Sequence, residues 1–210
     1  MGGDEGLIRI LAVDDHKLIR RGIAALVATE PHMRVVAEAA NGREAVKEFR
    51  AHRPDITLMD LQMPEMDGLE AIMAIRGEFP DARIIVLTTY AGDVQALRAL
   101  KAGAHAYLLK EALDVELLDT IRAVHGGRKS ISPEVSFQLA EHATDDALTP
   151  SEVRVLGLIA EGKANKEIAT RLSVTEATVK GQVQSILSKL GANDRTHAVM
   201  IGLKRGIIHI

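Results

Sequence analysis

Four strand-like segments of this chain end in residues that could do chemistry together. ILAV is followed by Asp14 and Asp15, ITLM by Asp60, IIVL by Thr88 and AYLL by Lys110. If these segments form a parallel sheet ordered 2-1-3-4-5, their ends meet on one edge, where such folds place their sites. Three carboxylates in one pocket repel one another unless a cation sits among them. An all-oxygen, partly open set suits Mg2+, which keeps waters and takes a few carboxylates plus a phosphate. A carboxylate beside such a cation, flanked by a hydroxyl and an ammonium, is built to become an aspartyl phosphate. Each residue alone has a plainer role: Asp15 as a helix cap, Thr88 as a strand former, Lys110 as a surface base. Independent caps would not all fall on one edge. The loop after Asp60, with Pro64 and Asp67-Gly68, can also present backbone groups to a ligand.

Those ends need elements to hold them. Apolar runs at residues 7–13, 33–39, 55–59, 82–88 and 104–109 alternate with amphipathic stretches at 16–28, 41–52, 68–78, 93–102 and 115–124. The runs ILAV and IIVL are apolar throughout, as in strands buried on both faces of a parallel sheet. Five strands alternating with five helices predict a doubly wound α/β domain, flavodoxin-like in strand order, with right-handed crossovers. After Gly126-Gly127 the pattern changes. Residues 128–147 read as a linker with one short helix at 133–142, and residues 148–210 read as four short helices without strands. Thr149 can cap the first of these, Pro150 suits its first position, and Gly162 stops it. The predicted domains are therefore 1–127 and 148–210, joined by a linker at 128–147.

Composition narrows the function classes. The chain has 210 residues, 47% of them hydrophobic and 26% charged, which is enough apolar material for one or two buried cores. There is no cysteine, which removes disulfides, thiolate metal sites and Cys nucleophiles. No apolar run approaches the roughly 18 residues of a membrane span, and the start MGGDEG carries no secretory signal. The expected compartment is the cytoplasm. Aromatics are few and Trp is absent, which argues against stacking on single-stranded nucleic acid. Residues 1–127 carry 20 acidic and 15 basic side chains, a balance of −5, whereas residues 148–210 carry 5 and 9, a balance of +4. An acidic half joined to a basic half suggests two partners, with nucleic acid the candidate for the basic one.

With MDLQMPEMDG following strand three, the first domain resembles a response-regulator receiver. The whole chain resembles the two-component response regulators of the NarL/FixJ family, which end in a LuxR-type helix-turn-helix. The resemblance implies that Asp60 takes a phosphoryl group from the phosphohistidine of a sensor histidine kinase. It implies that Asp14, Asp15, Asp60 and the backbone carbonyl of Gln62 ligate Mg2+ or Mn2+. Thr88 and Lys110 would hold the phosphoryl oxygens, and Tyr107 would rotate inward on activation. An aspartyl-phosphate phosphatase would want a second carboxylate two residues after its nucleophile, where Gln62 stands. A quorum-type regulator would want an aromatic-lined cavity. The reading is thus a regulator and no enzyme, with no small-molecule substrate beyond a phosphodonor.

The basic half fits the same family through LTPSEVRVLGLIAEG and NKEIATRLSVTEATVKGQVQSILSKLG. In its third helix Val179, Val183, Ile186, Leu187 and Leu190 form one apolar stripe. The opposite face carries Thr178, Gly181, Gln184, Ser185, Ser188 and Lys189, with Lys180 at its flank. Such a helix would lie in the major groove of double-stranded DNA, with Lys180 and Gln184 as base readers. Lys163, Lys166, Lys180, Lys189 and Arg195 are the expected phosphate contacts. Two residues depart from the family's usual TVKNHV pattern, Gly181 and Gln182. Activation is expected to yield a homodimer paired through the fourth helix, 198–204.

Overall fold

The structure, a computed structural model, describes residues 6–89, 92–131, 135–137, 140 and 147–208. The chain divides into two compact units, Met1–Thr89 with Ala96–Ser136 and Tyr90–Gln95 with Phe137–Ile210. The first is an α/β unit of β1 (Ile8–Val13), α1 (Lys17–Val27), β2 (Met33–Ala39), α2 (Gly42–His52), β3 (Ile56–Asp60), α3 (Gly68–Glu78), β4 (Ile84–Thr88), α4 (Asp93–Lys101, from Ala96 on), β5 (Ala106–Leu109), α5 (Leu113–His125) and β6 (Ser130–Ile131). A single 3-10 turn, Lys110–Ala112, joins β5 to α5.

The sheet runs β2-β1-β3-β4-β5-β6 with every pair parallel, so the expected order of the first five strands is what forms. The five-strand expectation needs one correction. Ser130 and Ile131 add a sixth strand beside β5, inside the segment read as linker, so the sheet continues past Gly127. Two residues are too short to leave a periodic signal. Strands β3, β4 and β5 are buried at every position because helices cover both faces. On one face Ile10, Leu58, Ile85, Leu87 and Leu108 pack with Ile23 and Val27 of α1 and Leu117, Ile121 and Val124 of α5. Each such side chain contributes about 1.5–3 kcal/mol by leaving water.

The loop after β3 is held from both ends. Asp67 caps α3 by accepting the Glu70 N–H at 2.7 Å, and Glu70 Oε2 accepts the Asp67 N–H at 3.2 Å. Gly68 is required here, because a Cβ would fall 2.0 Å from the Asp60 carbonyl oxygen. The loop therefore closes tightly on the end of β3.

The second unit consists of α6 (Pro150–Ala160), α7 (Asn165–Leu172), α8 (Glu176–Leu190) and α9 (Arg195–Lys204). Thr149 and Glu152 form a capping box on α6, with Pro150 at its start and Gly162, at φ 79°, just beyond its end. Ser173 in the left-handed region and the Thr175 cap make the tight α7–α8 turn. Val155, Leu156, Ile168, Val179, Ile186 and Ala198 fill the core. Of the short helix expected at 133–142, residues 135–137 and 140 are helical; the rest lies outside the described residues.

Among the described residues of this unit, Glu152 is the charged one that is buried, at 5% exposure. Burial alone would push its carboxyl up. The Ser185 hydroxyl at 2.6 Å, the Thr149 N–H at 2.7 Å and the Lys189 ammonium at 2.9 Å outweigh that and hold it at about 2. A carboxylate depressed from 4.5 stabilises the fold above its unfolded value and loses that contribution as pH falls toward 2. Glu152→Gln should therefore destabilise the second unit by on the order of 2 kcal/mol at pH 7. Thermal unfolding against pH should show the gap from wild type closing between pH 4.5 and 2. A gap constant over that window would contradict the assignment.

Candidate functional site

Strand register assembles the first site. Val13 pairs with Met59, so Asp14 and Asp60 lie side by side on adjacent strands. Asp60 pairs with Leu87 and Thr88 with Leu109, which sets Thr88 and Lys110 one step further along the same edge. Asp14 and Asp60 are buried, at 0% and 3% exposure. The Lys110 ammonium bridges them, with Nζ 2.7 Å from Asp14 Oδ2 and 2.9 Å from Asp60 Oδ2. The Gln62 N–H reaches Asp60 Oδ1 weakly at 3.4 Å.

Asp15 stands at the rim rather than on α1, correcting the plainer reading of it as a cap. The cap position of α1 is His16, which makes no side-chain capping bond. Its ring Nδ1 lies 2.6 Å from Asp15 Oδ1 and 3.4 Å from Asp14 Oδ1, and its N–H donates to Asp14 Oδ1 at 2.8 Å. One ligand atom each from Asp14, Asp15, His16 and Asp60 falls within 4.8 Å of the others.

Burial pushes the Asp60 carboxyl above its ordinary value, and the Asp14 charge adds to this, while Lys110 opposes both. Burial would lower the Lys110 ammonium, but the two carboxylates outweigh it and raise it. Three carboxylates and one ammonium leave a formal local charge of −2. That is the charge a divalent cation neutralises, and the oxygen-rich donor set fits one.

Thr88 and Tyr107 form a second pair on the neighbouring strands. Val86 pairs with Tyr107, so Thr88 and Tyr107 share a sheet face two positions apart, and their hydroxyls are hydrogen-bonded. Burial pushes the Tyr107 phenol up to about 12, with the Thr88 bond opposing. The residue expected to turn inward on activation is already inward, at 1% exposure.

In the second unit α8 exposes Thr178, Lys180, Gly181, Gln184 and Ser188 together, as its sequence stripe predicts. A Cβ on Gly181 would meet nothing within 4 Å, so the backbone there is open to approach. Lys180 pairs with Glu176 at 3.3 Å in the open, an interaction worth about 0.3–0.5 kcal/mol that a phosphate can replace. Lys166 is exposed. Arg195 is exposed but donates to the Lys163 carbonyl at 2.9 Å. Two expectations need correction. Ser185 and Lys189 are half-buried and bound to Glu152, so they hold α8 against α6. Apolar spacing could not show this, because it does not say that a carboxylate on another helix is buried. Gln182 likewise donates to the Ser151 hydroxyl at 2.7 Å. His16 was also missed, though its adjacency to Asp14-Asp15 was a usable signal.

Residues 10–122 match the response regulator receiver domain, and residues 146–201 match the bacterial regulatory proteins of the luxR family. The chain is 42% identical over 206 residues to the uncharacterized transcriptional regulatory protein YhcZ of Bacillus subtilis (strain 168), covering 94% of this chain and 96% of that one. It is 39% identical to the transcriptional regulatory protein LiaR of the same organism, covering 97% and 100%. Among solved structures, RcsB from Salmonella enterica serovar Typhimurium, bound to a promoter with phosphomimetic BeF3-, is similar at a TM-score of 0.72 and 27% identity, covering 95% and 98%. No described helix is long and apolar enough to cross a membrane. A receiver match over more than half the chain, a luxR-family match after it and full-length relatives agree: the protein belongs to the two-component response regulators that act as LuxR-type DNA-binding transcription regulators.

Proposed function

We propose that Asp60 is the phospho-acceptor and that its phosphorylation, by a sensor histidine kinase, controls DNA binding by the second unit. The observation that supports this most is the buried Asp14–Lys110–Asp60 bridge at the C-terminal edge of the sheet. Asp60 Oδ attacks the donor phosphorus, the new O–P bond forms as the P–N bond breaks, and the leaving imidazole takes a proton. Asp14, Asp15, Asp60 and the Gln62 carbonyl would hold Mg2+ or Mn2+, which neutralises charge on the transferring group. Lys110 leaves its bridge to hold a phosphoryl oxygen. Thr88 holds another, exchanging its bond to Tyr107 for one to the phosphoryl group. The receiver runs through Ile131 in this reading and the DNA-binding unit begins at Leu148. Activation yields a homodimer, and the protein works in the cytoplasm.

Incubation with Mg2+ and acetyl phosphate should add one phosphoryl group, labile to hydroxylamine. Asp60→Asn should take none, and equal labelling of that variant would refute the assignment. Because burial raises the Asp60 carboxyl, its titration in metal-free protein should lie above 3.8 when followed by carboxyl carbon NMR. Lys110→Met removes the group that opposes the rise and should move the titration further up. An unchanged titration would mean that Asp60 does not sense Lys110.

We infer that α8 lies in the major groove, with Lys180 and Gln184 toward base edges and Thr178, Gly181 and Ser188 against the backbone. Lys163, Lys166 and Arg195 would face phosphates. Gln184→Ala should relax preference at one position of each half-site by about 1–3 kcal/mol. Lys166→Ala should instead weaken all sequences alike and flatten the salt dependence by about one unit. Selection from random DNA with each variant checks both, and unchanged preferences for Gln184→Ala would mean another side chain reads.

A further inference from the structure

His16 is the one member of the acidic pocket whose role the phosphotransfer chemistry does not use. Its side chain is 69% exposed and makes no capping bond to α1, so the fold does not need the imidazole. Yet Nδ1 faces the carboxylates: it lies 2.6 Å from Asp15 Oδ1, close enough that a proton sits between them, and 3.4 Å from Asp14 Oδ1. The His16 backbone N–H also donates to Asp14 Oδ1 at 2.8 Å, which holds the main chain of this residue against the pocket.

Distances decide what this nitrogen can do. Two donors on one small divalent cation, each at about 2.0–2.2 Å, lie at most about 4.4 Å apart. The donor atoms of Asp14, Asp15, His16 and Asp60 already fall within 4.8 Å, so closure needs only a few tenths of an ångström. Asp15 and His16 are at the rim and can supply it once the cation displaces the proton between them. Donor type then decides which cation benefits. Mg2+ wants oxygen in near-ideal octahedra and gains little from imidazole. Cu2+ and Ni2+ favour mixed nitrogen and oxygen sets, and they head the affinity order of the first-row divalent ions up to copper.

We infer that His16 Nδ1 makes this pocket a mixed imidazole–carboxylate site that takes a transition-metal dication, Ni2+ or Cu2+, in preference to Mg2+. The inference rests on the pocket being the cation site of the proposed phosphotransfer. A pocket so occupied has one donor more from protein and one position fewer for a phosphoryl oxygen. Ni2+ or Cu2+ would then compete with Mg2+ and suppress phosphorylation.

The test uses the full chain with one equivalent of metal. Wild type should bind Ni2+ at least a hundredfold more tightly than Mg2+ by calorimetry. His16→Ala should lose tenfold or more in Ni2+ affinity while its Mg2+ affinity stays within twofold. His16→Asn, which keeps a polar side chain beside Asp15 but is a poor metal donor, should behave as His16→Ala. The chain carries eight histidines, so a spectroscopic assignment is needed. The Cu2+ EPR spectrum of wild type should show nitrogen hyperfine coupling that both His16 variants and Asp15→Asn lose. Coupling retained in His16→Ala, or equal losses for Ni2+ and Mg2+, would overturn the inference. Mg2+-dependent phosphorylation of Asp60 in the same preparations separates the two readings. If wild type is phosphorylated and the EPR result fails, only the role of His16 falls. If wild type is not phosphorylated, the pocket itself has been misread.

Discussion

Two carboxylates buried side by side at the end of a parallel sheet are an electrostatic liability, and Lys110 makes them tolerable. Removing a carboxylate from water costs several kcal/mol, and a second like charge beside it adds more. The Lys110 ammonium lies within 2.9 Å of both Asp14 and Asp60 and offsets part of that cost. It does not offset all of it, since Asp60 still titrates above its ordinary value and a negative balance persists with Asp15 at the rim. The pocket is left short of positive charge. Strain of this kind is what a bound cation and a transferred group can relieve, and it persists because the surrounding sheet is rigid.

Rigidity comes from strands that are buried at every position. With helices on both faces, β3 and β4 cannot slip in register without moving apolar side chains out of the core. The register that packs Leu58 and Leu87 also places Asp60 beside Asp14 and sets Thr88 one position beyond. The Thr88–Tyr107 bond extends the arrangement sideways to β5. A change at Asp60 therefore has a route through a hydroxyl on the adjacent strand to a large buried phenol.

The same physics explains what could be read from the sequence. Continuous apolar runs announce strands covered on both sides, and their alternation with helices announced a parallel doubly wound sheet. Cap chemistry placed α6 and α8 closely, because Thr149, Pro150 and Thr175 act locally. The residues at the four strand ends were legible because they depend only on fold and spacing. What was not legible depends on contacts across elements. Ser185 and Lys189 look like surface residues on a helical wheel, but Glu152 on another helix binds both. The β6 pairing is two residues long, and the inward Tyr107 is a rotamer; neither leaves a pattern in the chain.

The central claim is that charge added at Asp60 is felt by DNA binding. The direct measurement is the affinity of the full-length protein for a site obtained by selection from random DNA, before and after stoichiometric phosphorylation with acetyl phosphate and Mg2+, at fixed salt. Coupling between two sites of this kind typically runs from about 5-fold to 150-fold. Wild type should tighten by about tenfold or more, and Asp60→Asn should not respond to the phosphodonor. Equal affinity of the phosphorylated and unphosphorylated wild-type protein would contradict the switch, whatever the chemistry of the pocket.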